Sequence, residues 1–463
     1  MPKPTTRRHR SIVVAVAIGL LLAACGNSGD KASSSSSTGA SGSSASSASS
    51  SIDTTTHVAI TGVPGVTDTE INYAALGTNS NNPLGTCVLD CFSDGIQAYF
   101  DFRNSTGGVW GRKLVLAKKV DDELSKNQEK ALEIVSANDS FGTFTAAQIG
   151  AGWPDLAAAG MPVYTWAINA DDTNGHPEMF GNAGTNCGTC TSRGIANMVK
   201  IAGAKKIATL GYGVSPNSKQ CAQSSADSVK KYAADIGNPE VVYVNGDLQF
   251  GLANGVGPEV TAIKDAGADL IFLCIDLNGA KTVAQELQRQ GIRDKVKMYH
   301  PNTYDQAFVS AAGGLFDGDY VSVGFRPFEA DASTSSLKDY REWMAKNGKT
   351  ETEISMDGWI NADLAYQGLV KAGPSFDQAK VIAATNTITD FTAGGLVPPI
   401  DWSRQHEAPT EADPKTHGSA QDCQALVTVK AGKFVVVGDT TKPWVCWPGG
   451  TADWSEPVPT TFS

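Results

Sequence analysis

The feature that most constrains this chain is an alternation of short β-rich runs with helix-patterned segments between residues 58 and 300. Val58–Gly62, Lys113–Ala117, Met161–Trp166, Lys206–Leu210, Val241–Val244, Asp269–Ile275 and Val296–Tyr299 read as strands, bounded by polar and glycine-bearing turns. Between them, Asp227–Ile236 places Val229, Tyr232, Ala233 and Ile236 at i, i+3, i+4 and i+7, the stripe of a helix packed on one side. Lys281–Gln290 is similar and is followed by Gly291, where a helix commonly stops. Alternating strand and helix means largely parallel sheets covered by helices, the α/β class.

The last third departs from this pattern. Ser335–Asn347 and Met356–Ala372 read as consecutive helices, and Cys423–Val429 with Lys433–Val437 flank Lys430-Ala431-Gly432 as a hairpin. The folded part, from His57 to the C-terminus, is about 400 residues, more than one hydrophobic core usually serves, so two lobes are expected.

Ahead of the folded part, Lys3, Arg7, Arg8 and Arg10 precede the apolar run Ile12–Ala24. That run is too short for a spanning helix, which needs roughly 20 residues, and it ends in small residues, as a cleaved secretion signal does. Leu22-Ala23-Ala24-Cys25 resembles the bacterial lipobox, which implies a signal peptide over 1–24 and lipidation of Cys25. Residues 25–56, mostly Ser, Ala and Gly over Lys31–Ser51, hold too little apolar surface to fold and read as a flexible tether. The formal net charge of −11 includes the cationic signal. The exported part is therefore more acidic still, which argues against a nucleic-acid partner and leaves the lipid anchor as the only membrane contact.

With Cys25 assigned to the anchor, eight of nine cysteines remain, an even number in an exported chain, which reads as disulfides. Proximity favours Cys87 with Cys91, Cys187 with Cys190 and Cys423 with Cys446, leaving Cys221 with Cys274, out of about a hundred connectivities. Cys187-Gly-Thr-Cys190 is also compatible with a redox pair or half a zinc site completed by Cys87 and Cys91.

In open α/β sheets ligands bind beyond the carboxyl ends of the strands, so residues following each strand are the candidates. Phe141–Gln148, carrying Thr143, Thr145 and Ala146, offers hydroxyls and N–H groups at an expected helix start, suited to an anionic group. Trp166-Ala167-Ile168-Asn169, Tyr212, Asp276, Asn302 and Tyr304 follow other strands. Together these groups suit a small polar or zwitterionic molecule. Asp276 reads equally as an N-cap and the tyrosines as packing between lobes. No G-x-S-x-G, H-E-x-x-H or Walker A sequence occurs, the six histidines show no ligand spacing, and no metal, cofactor or enzymatic activity is expected.

The order of signal, tether and "HVAITGV", "GGVWGRKLVL" with Asp121-Asp122 behind it, "FTAAQIGAGWPDLAAAGMPVYTWA" and "ADLIFLCIDLNGAKTVAQELQRQGI" resembles the periplasmic-binding-protein type I fold. Within it, the chain is similar to the branched-chain amino-acid (leucine-binding) substrate-binding proteins of ABC importers. The resemblance implies two α/β lobes, each a largely parallel sheet flanked by helices, joined by three crossovers around a ligand cleft. Lobe 1 would comprise 57–180 and 326–400, and lobe 2 would comprise 181–325 and 401–463. It implies first-lobe ligand contacts at Thr145-Ala146 and Ala167 to Asn169, and second-lobe contacts at Tyr212, Asp276 and Asn302 to Tyr304, with the Asn81–Cys91 insertion beside the cleft mouth. Thr145-Ala146 stands for the family's serine pair, Asn169 for a threonine, and polar residues for a tyrosine within Gly213–Lys219. These departures point from leucine itself toward another amino acid, an amide or a small acid. The implied role is a monomeric, non-catalytic solute-binding lipoprotein on the outer face of the cell membrane, partnered by an ABC permease and its ATPase. The alternatives are a ligand-sensing receptor of the same fold and a secreted hydrolase.

Overall fold

A computed structural model describes residues 53–82, 85–166, 168–169, 173–301, 304–407 and 421–463. Cys25, Ala167 and Asn302 lie outside the described residues, as do the signal and most of the tether.

The first sheet contains β1 (Glu70–Gly77), β2 (Lys113–Asp121), β3 (Gly142–Ala146) and β4 (Val163–Thr165). After the two-residue β5 (Ile168–Asn169) it is completed by β6 (Met179–Gly181), while β7 (Thr185–Asn186) pairs with β5. Its order is β2-β1-β3-β4-β6, parallel throughout. Parallel strands need helical crossovers, and these cover both faces, which is why β3 is buried at every position. In register across three strands, Phe144 stacks on Tyr164 at 5.2 Å and Tyr164 on Phe180 at 5.5 Å, with Tyr73 of β1 5.2 Å from Phe144. Such aromatic pairs add about 0.5–1.5 kcal/mol each beyond the area they bury.

The helices of this half include α1 (Leu89–Ser105), α2 (Asn127–Ala137) and α3 (Trp153–Ala158). The chain then builds the second sheet, in which α4 (Arg193–Ala202), β8 (Lys206–Tyr212), α5 (Pro216–Lys231), β9 (Glu240–Leu248), α6 (Gly257–Ala266), β10 (Leu270–Cys274), α7 (Leu277–Arg289) and β11 (Lys297–His300) alternate. α8 (Gln306–Ala311) and β12 (Tyr320–Val323) follow, and β12 closes the parallel part. Three further helices, α9 (Leu337–Lys346), α10 (Glu353–Ala372) and α11 (Gln378–Thr385), return to the first half. There the Trp110 indole donates to the Leu369 carbonyl at 2.8 Å, and Tyr99 shares a short hydrogen bond with Asp363 of α10. Finally β13 (Gln421–Lys430), β14 (Lys433–Val436), β15 (Trp444–Pro448) and β16 (Val458–Thr460) extend the second sheet with antiparallel pairings.

α1 and α10 cross closely because each carries a glycine at the contact. A Cβ on Gly95 would lie 1.7 Å from the Ser355 carbonyl oxygen, and one on Gly358 would lie 2.1 Å from that of Phe92. Thr352 caps α10, its hydroxyl accepting from the Ser355 N–H while the Ser355 hydroxyl accepts from the Thr352 N–H.

Three sequence expectations are corrected. Val58–Gly62 is irregular, and the first strand is Glu70–Gly77. Phe141–Gln148 is no helix start, since Gly142–Ala146 forms the central strand of the first sheet. The Asp227–Ile236 stripe is the tail of a longer helix that ends at Lys231 and passes into a 3-10 turn over Ala233–Asp235.

Candidate functional site

A cavity of about 660 Å³ opens where the carboxyl ends of both parallel sheets meet. From the first half it is walled by Ala147 and Gln148 after β3, Trp166 after β4 and Asn182 to Thr185 after β6. From the second come Tyr212 at the end of β8, Ile275 and Asp276 after β10, Pro301 after β11, and Val323 and Gly324 at the end of β12. Gly184, Gly324 and Val397 lie on the three stretches by which the chain passes between the two halves, and they line it too.

Asp276 has two roles here. Its Oδ1 accepts from the N–H groups of Asn278 (2.9 Å) and Gly279 (3.1 Å), capping α7, while its other oxygen takes a short hydrogen bond from the Tyr212 hydroxyl. Burial first, and then the Asp276 carboxylate, push the Tyr212 phenol well above its ordinary pKa, so it stays a donor. Gly279 makes this possible, since a Cβ there would stand 2.5 Å from the Tyr212 oxygen. Tyr212 in turn lies 5.2 Å edge-on to Phe250.

Tyr304 also lines the cavity, but its ring is packed between Phe328 (5.2 Å) and Phe434 (4.9 Å), and its hydroxyl is engaged by Glu329 and the Phe328 N–H. Its backbone N–H points to Glu353 Oε2 at 3.3 Å.

The first-half candidates are placed differently from expectation. Thr143 is wholly buried, with its hydroxyl 2.7 Å from the Met161 sulfur, and does not reach the cavity. Thr145 is 8% exposed and bonds the Trp166 carbonyl at 3.3 Å, and Ala146 is buried. Their N–H and C=O groups belong to the ladders with β1 and β4, so the residues that face the cleft are the next two, Ala147 and Gln148. Gln148 is fixed by its N–H to the Thr78 hydroxyl (3.0 Å) and by its amide to Asn82 (2.7 Å). The backbone of Asn169 lies in β5, which pairs with β7, whose Thr185 lines the cavity.

Glu353, Asn182 and Asp422 also line the cavity, and no motif or strand end read from the sequence singles them out. Glu353 opens α10, and burial pushes its carboxyl up to about 7. One turn on, Asp357 is buried, accepts from the Asn182 amide at 2.7 Å, and has its pKa raised by burial and by Glu353. Asp422 faces Arg193 at 3.4 Å, both buried.

The eight cysteines form Cys87–Cys91, Cys187–Cys190, Cys221–Cys274 and Cys423–Cys446. Cys187 and Cys190 share a disulfide, and among the described residues no group of three His, Cys, Asp or Glu side chains is arranged to hold a metal ion. Seven of these eight cysteines line the cavity, all but Cys446. No described helix is long and apolar enough to cross a membrane.

Two helix-flanked, mainly parallel sheets with a cleft at their strand ends define a two-lobed binding protein of the type I class. The family model described as "Periplasmic binding protein" matches residues 88–433, and the chain belongs to that family. A relative from Brucella abortus (strain 2308), "Leu/Ile/Val-binding protein homolog 8", is 22% identical over 339 residues, covering 68% of this chain and 81% of its own. Among solved structures, a fatty acid ABC transporter substrate-binding protein from Thermomonospora curvata superposes with a TM-score of 0.62 at 16% identity, covering 86% of this chain and 97% of that one. An R. palustris solute-binding protein of an ABC transporter, in complex with benzoate, gives 0.60 at 17% identity over 81% and 97%.

Proposed function

We propose that this protein captures a small polar solute, an amino acid or a compound like one, and delivers it to an ABC permease and its ATPase without transforming it. The observation that carries this reading is the cavity walled by the strand ends of both sheets. A ligand touching both walls is gripped fully only when they approach, so binding favours closure by hinge motion at the stretches between them. The lobes are taken as 57–180 with 326–400, and 181–325 with 401–463. The Leu/Ile/Val-binding name of the Brucella relative supports an amino-acid-like ligand. On this reading the protein is a monomeric lipoprotein on the outer face of the membrane, tethered through Cys25 and residues 25–56. A tether raises the local concentration of a capture protein near its permease.

Calorimetric titration of the full-length protein against amino acids, amides and organic acids, with small-angle scattering of the complex, tests the reading. One ligand per chain, recovered unchanged, with a smaller radius of gyration on binding, is the expected result. Turnover of a bound compound, or binding with no compaction, overturns it.

A further inference from the structure

We propose that the cleft takes a ligand bearing net positive charge, with its ammonium or guanidinium group seated on Glu353. This rests on the cleft being the solute site, and it names the class of solute. The charged side chains lining the cavity are Asp276, Asp305, Glu353 and Asp422, with no Lys, Arg or His among the described lining residues. Three of the four are committed within the protein. Asp276 caps α7 and receives Tyr212, Asp305 caps α8 through the Phe308 N–H at 2.8 Å, and Asp422 faces Arg193.

Glu353 differs from these. Its described partner is the Tyr304 N–H at 3.3 Å, and no described cation lies within ion-pair distance of it or of Asp357 behind it. A buried carboxylate with no counter-ion is expensive, and burial accordingly pushes Glu353 up to about 7. A ligand cation is the missing counter-ion. Trp166, Tyr212 and Phe250 also line the cavity, and aromatic rings attract cations at their faces.

The test is calorimetry on the full-length protein with pairs of similar shape and different charge: arginine against citrulline, lysine against norleucine, and choline against 3,3-dimethylbutanol, with benzoate and octanoate as anions. At least one cation is expected to bind ten-fold or more tightly than its neutral partner. Glu353→Gln should weaken that cation at least ten-fold without lowering the melting temperature, and Glu353→Asp should restore part of the loss. A neutral or anionic compound binding as tightly as the best cation, or an unchanged affinity in Glu353→Gln, overturns the charge assignment and leaves the binding-protein reading standing. Binding of no compound of any charge counts against both.

Discussion

Glu353 links the site to stability. Its carboxyl titrates near 7 in the folded chain against an ordinary 4.5, so between these values the native state holds a proton that the unfolded state has released. A raised folded pKa contributes stability that is fully present below about pH 4.5 and is lost as pH rises through about 7. Glu353→Gln should therefore stabilise the ligand-free protein by roughly 1–3 kcal/mol at pH 8 and by little at pH 4.5. Urea unfolding of both proteins at the two pH values checks this, and an equal effect at both would remove burial of charge as the cause. Tyr212 and Asp276 were readable from the sequence because they follow strands whose apolar runs are unmistakable. Glu353 was not, because it lies three residues ahead of where the helical pattern becomes visible at Met356, and its burial depends on Tyr304, some fifty residues away in the chain. Thr143 and Thr145 were misplaced because small polar residues suit a buried central strand as well as a helix start.

Among the elements, the α1–α10 crossing has the least tolerance. Gly95→Ala puts a methyl group into the Ser355 carbonyl, and relief requires the helices to separate. A loss of about 1–3 kcal/mol is expected, from the range for overpacked contacts, read as a lower denaturant midpoint at unchanged slope. The strand β1 was missed for a related reason. Its sequence EINYAALG carries Ala-Ala-Leu, which favours helix, while Val58–Gly62 has the better intrinsic strand pattern. Position between β2 and β3, with burial on both faces, decides in favour of β1. Helices α9 and α10 were read close to their true spans because their apolar residues recur at helical spacing and glycine follows each closely, Gly348 after α9 and Gly373 after α10.

At the scale of the molecule, the parallel core of both sheets was legible, since alternation of strand and helix leaves few other solutions. The antiparallel extension by β15 and β16 was not, because two short segments joined by Pro- and Gly-rich chain carry little periodicity. The cavity was legible only as a rule about strand ends. Which residues wall it depends on how the halves meet, information distributed over the whole chain.

The disulfides bear on when this protein can act as well as on how it holds together. Because seven of the eight bonded cysteines form part of the cavity wall, the same oxidation that closes the bonds also shapes the receptor surface. A freshly made chain in a reducing compartment has seven thiols there instead. On the proposed reading it is expected to bind its solute weakly until it reaches an oxidising one. Titration of a confirmed ligand in dithiothreitol should show affinity falling at least ten-fold while far-ultraviolet circular dichroism still reports a folded chain. Unchanged affinity after complete reduction, verified by thiol counting, would separate the cystines from the recognition surface.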